Sequence, residues 1–227
     1  MKLFAVSDIH GYATLLKSAL NAAGYEPDNE NHLLVCCGDL FDRGTENLEV
    51  LKFFEKLDRK IMIKGNHEER LLEILDTGRL GSHDFLNGTT ETIQEFFGRY
   101  SAMNLYEPID FSGKTGIVNR LYDLIGEMRD YFETEHYIFL HGWFPNDGAN
   151  ILGAWRAADE AHWSKGRWTW WKKGCDMPGN RESKTVVCGH YPTPDGEIYR
   201  ADNFIAIDAG TATRGRVNVL VLEDETV

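Results

Sequence analysis

The sequence predicts an α/β fold, a β-sheet covered by helices. Short apolar runs alternate with amphipathic helical stretches, which is the pattern of successive βα units. A chain of 227 residues suits one such domain better than two. Hydrophobic residues make up 42% and aromatics 12%, enough to bury a real core. Lys2–Ser7 is predicted as the first strand, and Tyr12–Ala23 as a helix with Leu15, Leu16, Ala19 and Ala23 on one stripe before Gly24. His32–Cys37 is the second strand, and Thr45–Leu57 a helix with Val50, Phe53, Phe54 and Leu57 in register. Lys60–Lys64 is the third strand, followed by a helix over Asn66–Asp76.

From about 78 to 135 the pattern is helical without clear strands. Ile93, Phe96, Phe97 and Tyr100 share one face, as do Val118, Leu121, Tyr122, Ile125, Met128 and Phe132. With no Pro/Gly/Ser-rich linker on either side, this stretch reads as a helical insertion within a single domain over 1–227. Strands resume at Tyr137–Leu140, Thr185–Cys188, Phe204–Ile207 and Val217–Leu222. The last two are predicted to pair in a second sheet across the turn-prone Gly210–Gly215 segment. Ile151–Gly179 is irregular and holds Trp155, Trp163, Trp168, Trp170 and Trp171, a group read as packing or as the rim of a cleft.

Bulk properties exclude some functions. A formal net charge of −12 argues against nucleic acid and anionic membrane surfaces as partners. No apolar run approaches the roughly 20 residues of a membrane helix, and the start of the chain lacks the features of a signal peptide, so a cytoplasmic location is expected. Cys36, Cys37 and Cys188 read as buried small hydrophobes, Cys175 sits in a polar loop, and no Cys-x-x-Cys spacing occurs.

The polar residues that follow the strands carry the chemistry. They are Ser7-Asp8-Ile9-His10-Gly11, Gly38-Asp39-Leu40-Phe41-Asp42-Arg43-Gly44, Gly65-Asn66-His67-Glu68, His141-Gly142 and Gly189-His190. Carboxyl ends of strands are where open α/β folds assemble sites, and the adjacent glycines allow sharp turns. Taken singly, each group has a plainer reading. Asn66 is a good N-cap, with Glu68 and Glu69 suited to the helix dipole. Asp42 and Arg43 could be a surface pair, and His141 a satisfied polar residue. Together they supply mixed carboxylate, imidazole and amide ligands suited to a pair of borderline divalent cations. His32, His83, His136 and His162 fall outside the groups, and Glu223-Asp224-Glu225 reads as a solvated tail.

These motifs resemble those of the calcineurin-like metallophosphoesterases, in particular the phosphoprotein phosphatase group in its small bacterial and phage form. The match runs in order from residue 8 to residue 190. The resemblance implies a β-sandwich of two mixed sheets flanked by helices in α-β-β-α layers. It implies two divalent metal ions, manganese first, with iron or zinc as alternatives. Asp8 and His10 would bind the first, Asp39 would bridge, and Asn66, His141 and His190 would complete the second. His67 would protonate the leaving group after a metal-activated water attacks phosphorus, with Asp42 orienting it, and Arg43 would grip the phosphate. A second phosphate-binding arginine is expected between the last two histidines: Arg167 is favoured, Arg156 the other candidate. The implied activity is hydrolysis of phosphomonoesters, with phosphorylated Ser/Thr proteins or small phosphoesters as substrates. The alternatives are a dinucleoside polyphosphate pyrophosphohydrolase and, from another class, a non-catalytic phosphate-binding protein. Cyclic-nucleotide phosphodiesterase fits less well, because those relatives usually lack the Asp-Arg-Gly extension.

Overall fold

A computed structural model describes residues 1–98, 106–143 and 182–224. Two mixed sheets face each other. The first has the order β3-β2-β1-β9, built from β1 (Lys2–Val6), β2 (His32–Cys36), β3 (Lys60–Met62) and β9 (Leu220–Glu223). The second has the order β4-β5-β6-β8-β7, from β4 (Phe132–Glu133), β5 (Tyr137–Leu140), β6 (Thr185–Cys188), β7 (Tyr199–Ala201) and β8 (Phe204–Ala206). Helices α1 (Ala13–Ala22), α2 (Asn47–Glu55), α3 (Asn66–Thr77), α4 (Ser82–Asn87), α5 (Thr89–Phe97) and α6 (Thr115–Gly126) follow in chain order.

The near-continuous apolar character of β1 and β2 follows from burial on both faces. Phe4, Val6, Leu34 and Cys36 point outward into a core shared with the helices, through Leu16, Leu51, Phe54, Leu71 and Ile125. Leu3, Ala5, Val35 and Cys37 point inward against Phe139, Val187 and Ile205 of the second sheet. Cys36, Cys37 and Cys188 are buried thiols, and burial pushes the Cys36 and Cys37 pKa values up. No helix among the described residues is long and apolar enough to cross a membrane.

Three sequence expectations are corrected. The final strand does not pair with β8: β9 runs antiparallel to β1, with Leu3 opposite Leu222, while β8 lies between β6 and β7. Gly210 and Gly215, both left-handed, bracket a helical turn over Thr211–Arg214 instead of closing a hairpin, so the chain crosses to the other sheet. Phe132 belongs to β4, opposite Phe139, not to the α6 face, because two residues are too few to show a strand period. Asp224 is not a solvated tail residue: it is 1% exposed, and its carbonyl accepts the N-terminal ammonium of Met1 at 2.8 Å.

The placement of β9 has a direct test. Leu220 and Leu222 are buried between the sheets, whereas Val221 faces out at 40% exposure. Leu222→Ala should cost about 2–5 kcal/mol in urea unfolding and Val221→Ala within about 1 kcal/mol. Equal costs would contradict the register.

Candidate metal centre

The strand ends of both sheets meet at one point. Gly38, just past β2, has φ 85°, and a Cβ there would lie 2.7 Å from His141 Nδ1 and 2.8 Å from Gly65 Cα. Glycine is therefore required where the loops after β2 and β3 and the end of β5 converge. Asp8 and His10 follow β1, Asp39 follows β2, Asn66 and His67 open α3 after β3, His141 follows β5 and His190 follows β6. All but His190 are buried.

Six non-glycine residues among those described have positive φ: Asp8, His10, Asp39, Asp42, Arg43 and His190. All six are site residues anticipated from the motifs. A left-handed backbone is unfavourable for a residue with a Cβ, and such strain persists where the surroundings over-determine it, typically at functional sites.

The donor atoms form two overlapping groups. Ligand-competent atoms of His10, Asp39 and His67, and those of Asp39, His141 and His190, each lie within 4.8 Å of one another, with Asp39 common to both. His10 Nε2 is 3.9 Å from Asp8 Oδ1 and 3.8 Å from Asp39 Oδ2. His10 Nδ1–H donates to the Phe41 carbonyl at 3.0 Å, which leaves Nε2 as the lone-pair nitrogen facing the carboxylates. Arg43 Nη1 donates to that nitrogen at 2.7 Å and Nη2 reaches His67 Nε2 at 3.3 Å, so a guanidinium lies across the cluster.

On the other side, His141 Nδ1–H donates to the Cys37 carbonyl at 2.7 Å. Its Nε2 lies 3.0 Å from Asn66 Oδ1, 3.1 Å from His190 Nδ1 and 3.3 Å from Asp39 Oδ1, so acceptors converge on one point. Burial alone would lower the His141 pKa, but the charges of Asp39 and Asp8 and its hydrogen bonds push it up to about 10. That point calls for positive charge, which a proton or a divalent cation can supply. Burial raises Asp8 to about 6, with Asp39 adding to the rise. Asp39 itself is held well below the usual carboxylate range: burial opposes this, but the His141 and His67 charges prevail. The donor set thus fits a pair of divalent cations: carboxylate, imidazole and amide oxygen with excess negative charge.

Beside the cluster, His67 Nδ1–H donates to Asp42 Oδ2 at 2.6 Å, both groups being buried. Burial disfavours charge on His67, yet Asp39 and the Asp42 hydrogen bond raise its pKa overall. The structure brings together Asp8, His10, Asp39, Asp42, Arg43, Asn66, His67, His141 and His190. Arg156, Arg167, His162, Cys175 and the tryptophan group lie outside the described residues.

Two carboxylates at the site carry more than their sequence context showed. Glu68, 0% exposed, accepts backbone N–H groups from Asp39 at 2.9 Å, Leu40 at 2.8 Å and Gly65 at 2.9 Å. It ties the loops after β2 and β3 together beside Asp39. Burial and the Asp39 charge raise its pKa to about 7, although each of these contacts donates to the ionised form. Its place in Gly65-Asn66-His67-Glu68 was the available signal, but a first-turn glutamate reads as a helix-dipole residue. Asp208, just beyond β8, is 2% exposed and accepts the Gly210 N–H at 2.7 Å. Burial and the Asp8 charge push its pKa up to about 8. No motif marked it.

A family model described as calcineurin-like phosphoesterase matches residues 1–220. The chain belongs to this family. Calcineurin-like phosphoesterases use a dinuclear divalent-metal site, and the His and Asp groups above are the candidate ligands for one in this chain. It is 34% identical over 94 residues to the symmetrical bis(5'-nucleosyl)-tetraphosphatase of Aromatoleum aromaticum, covering 40% of this chain and 34% of that protein. It is 40% identical over 76 residues to serine/threonine-protein phosphatase 2 of Escherichia coli, covering 34% of each. The chain thus spans about a third of the length of these two curated relatives. Among solved structures, a protein serine/threonine phosphatase from Saccharomyces cerevisiae with similarity to human PP5 shares the fold. It has a TM-score of 0.62 at 14% identity, over 92% of this chain and 67% of that one.

Two outcomes test the electrostatics of this candidate metal centre. A cation entering at His141 must displace its proton, so Mn²⁺ affinity should rise with pH up to about 10 and binding at pH 7 should release protons. Calorimetry in buffers of different ionisation enthalpy reads this directly; pH-independent binding would exclude it. Glu68→Gln turns an amide N–H toward a backbone donor, and should weaken Mn²⁺ binding by about 10–100-fold, as loss of a supporting contact typically does. Unchanged affinity would mean that Glu68 serves the fold alone.

Proposed function

We propose that the protein is a phosphomonoesterase of the Ser/Thr protein phosphatase type, taking phosphorylated proteins or small phosphoesters as substrates. The observation that carries this reading is the buried His67–Asp42 pair beside the Asp39-centred cluster. A serine alkoxide is a poor leaving group and departs only if protonated, so an oriented acid is what monoester hydrolysis requires. In this reading Asp8 and His10 would hold one cation, Asn66, His141 and His190 would hold the other, and Asp39 would serve both. Manganese is the first choice because the ligands mix imidazole with oxygen. When bound, the cations supply charge neutralisation at the phosphoryl oxygens and a nucleophile at neutral pH.

The chain's own residues do the rest. Arg43, at the mouth of the cluster, grips a phosphate with its forked donors, joined by Arg167 or, failing that, Arg156. With the Arg43 guanidinium turned from His67 Nε2 to the phosphate, that nitrogen would carry a proton for the leaving oxygen while Asp42 fixes the ring through Nδ1. The net charge of −12 keeps nucleic acid and anionic membranes out of the partner list, and the buried thiols suit the cytoplasm.

A second reading, a dinucleoside polyphosphate pyrophosphohydrolase, draws equal support from the Aromatoleum relative. The two differ in leaving group, an alkoxide against a nucleotide phosphate that leaves more readily. A hydrolysis screen of phosphoserine peptides and diadenosine tetraphosphate with Mn²⁺ separates them. Higher kcat/KM on the peptides supports the first reading, and higher kcat/KM on the dinucleotide replaces it with the second. Exhaustive chelation should abolish turnover on either substrate. His67→Asn should lose about 10²–10⁴-fold on phosphoserine peptides and far less on p-nitrophenyl phosphate. Equal losses on the two esters would remove His67 from the role of acid.

A further inference from the structure

Asp42 and Arg43 adopt left-handed backbone conformations, φ 74° and 67°, in the loop that follows β2. The helices α4 and α5 brace this loop at three places. Gly88, between them, has φ 80°, and a Cβ there would lie 2.5 Å from Arg43 N, so a glycine lets α5 begin directly against the loop backbone. Thr89, the first residue of α5 and 1% exposed, donates its hydroxyl to Asp42 Oδ2 at 2.6 Å. Further along α5, Glu95 accepts the N–H groups of Asn47 and Leu48 and the side-chain amide of Asn47. Asn47 Oδ1 in turn accepts the Asp42 N–H at 2.9 Å.

Asp42 Oδ2 therefore accepts two hydrogen bonds of 2.6 Å, from His67 Nδ1 and from Thr89 Oγ1. Asp42 Oδ1 is buried and has no hydrogen-bond partner among the described residues. The plane of the carboxylate is thus set from one oxygen, and two donors meet there. With Thr89 gone, the carboxylate can turn about its own axis and take the imidazole with it.

We infer that Thr89 is a positioning residue for leaving-group protonation, acting through Asp42 on His67. This rests on the acid role proposed above for His67. In that step a water oxygen forms a new P–O bond and gives up its proton to solvent, and the ester P–O bond breaks with its electron pair going to the leaving oxygen. The His67 Nε2–H bond breaks to leave a neutral imidazole, and the new O–H bond forms on the leaving group. Thr89 touches none of the reacting atoms. It fixes the direction in which Nε2 presents its proton. The segment that interrupts the alternation of strands and helices is in this way part of the catalytic apparatus.

The test compares Thr89→Val, Thr89→Ser and His67→Asn on phenyl phosphate and p-nitrophenyl phosphate, which match in size and differ in leaving group. Thr89→Val should lose about 10-fold in kcat on phenyl phosphate, a part of the general-acid contribution, and less than about 3-fold on the nitrophenyl ester. Thr89→Ser keeps the hydroxyl and should stay near wild type. In the diamagnetic zinc-loaded protein, the low-field His67 Nδ1–H resonance should broaden in Thr89→Val and persist in Thr89→Ser. If Thr89→Val does not fold, Thr89→Ala takes its place with the same expectation. Equal losses of Thr89→Val on both esters, with His67→Asn still selective for phenyl phosphate, would overturn the role of Thr89 alone. Loss of selectivity in His67→Asn would instead overturn the acid reading on which it rests.

Discussion

Asp8 and Asp39 are carboxylates at 2% exposure, placed within reach of each other's imidazole partners at the meeting point of two sheets. Burying such charge without compensation is costly. The protein answers with imidazoles whose outer nitrogens are committed to backbone carbonyls, His10 to Phe41 and His141 to Cys37, so that their other nitrogens face inward. It also directs the N-terminus of α3 at Asp39, through the His67 N–H at 3.1 Å. The residual demand for positive charge falls on His141 and on the Arg43 guanidinium, the places where a cation would relieve it. Most of the surrounding architecture exists to hold these like-charged groups at short range.

Holding them requires a backbone that side chains disfavour. The six left-handed residues are distributed over loops from both sheets, and each loop is tied to another. Ser7 and the His190 N–H both donate to Asp8 Oδ2. Glu68 joins the loops after β2 and β3 by accepting three backbone donors. Thr89, Asn47 and Glu95 fasten the Asp42–Gly44 stretch to α2 and α5. Strain at the site is therefore offset by hydrogen bonds to buried backbone groups, whose loss is expensive because the donors would otherwise be unsatisfied.

The first three βα units were legible in the sequence because their apolar runs and helical stripes are long and regular, and the five polar groups that follow the strands marked the site by residue type and order alone. The strand partner of β9 was not legible: both faces of Leu220–Glu223 can be read from its alternation, but not which sheet edge it meets. β4 was too short to announce itself. Thr89 and Glu68 were missed for a different reason. Each is an ordinary helix-start residue in sequence, and its importance lies in a partner 47 or 28–29 residues away. Asp208, 200 residues from Asp8, enters the same electrostatic field only through the pairing of β6 with β8.

In the function proposed above, Asp39 is shared by two cations. Electron paramagnetic resonance of the protein titrated with Mn²⁺ tests it most directly, since two Mn²⁺ ions joined through one carboxylate couple magnetically. Two ions should bind per chain at saturation and give a coupled multi-line spectrum that Asp39→Asn abolishes. Saturation at one ion with a simple six-line spectrum, unchanged in Asp39→Asn, would contradict it.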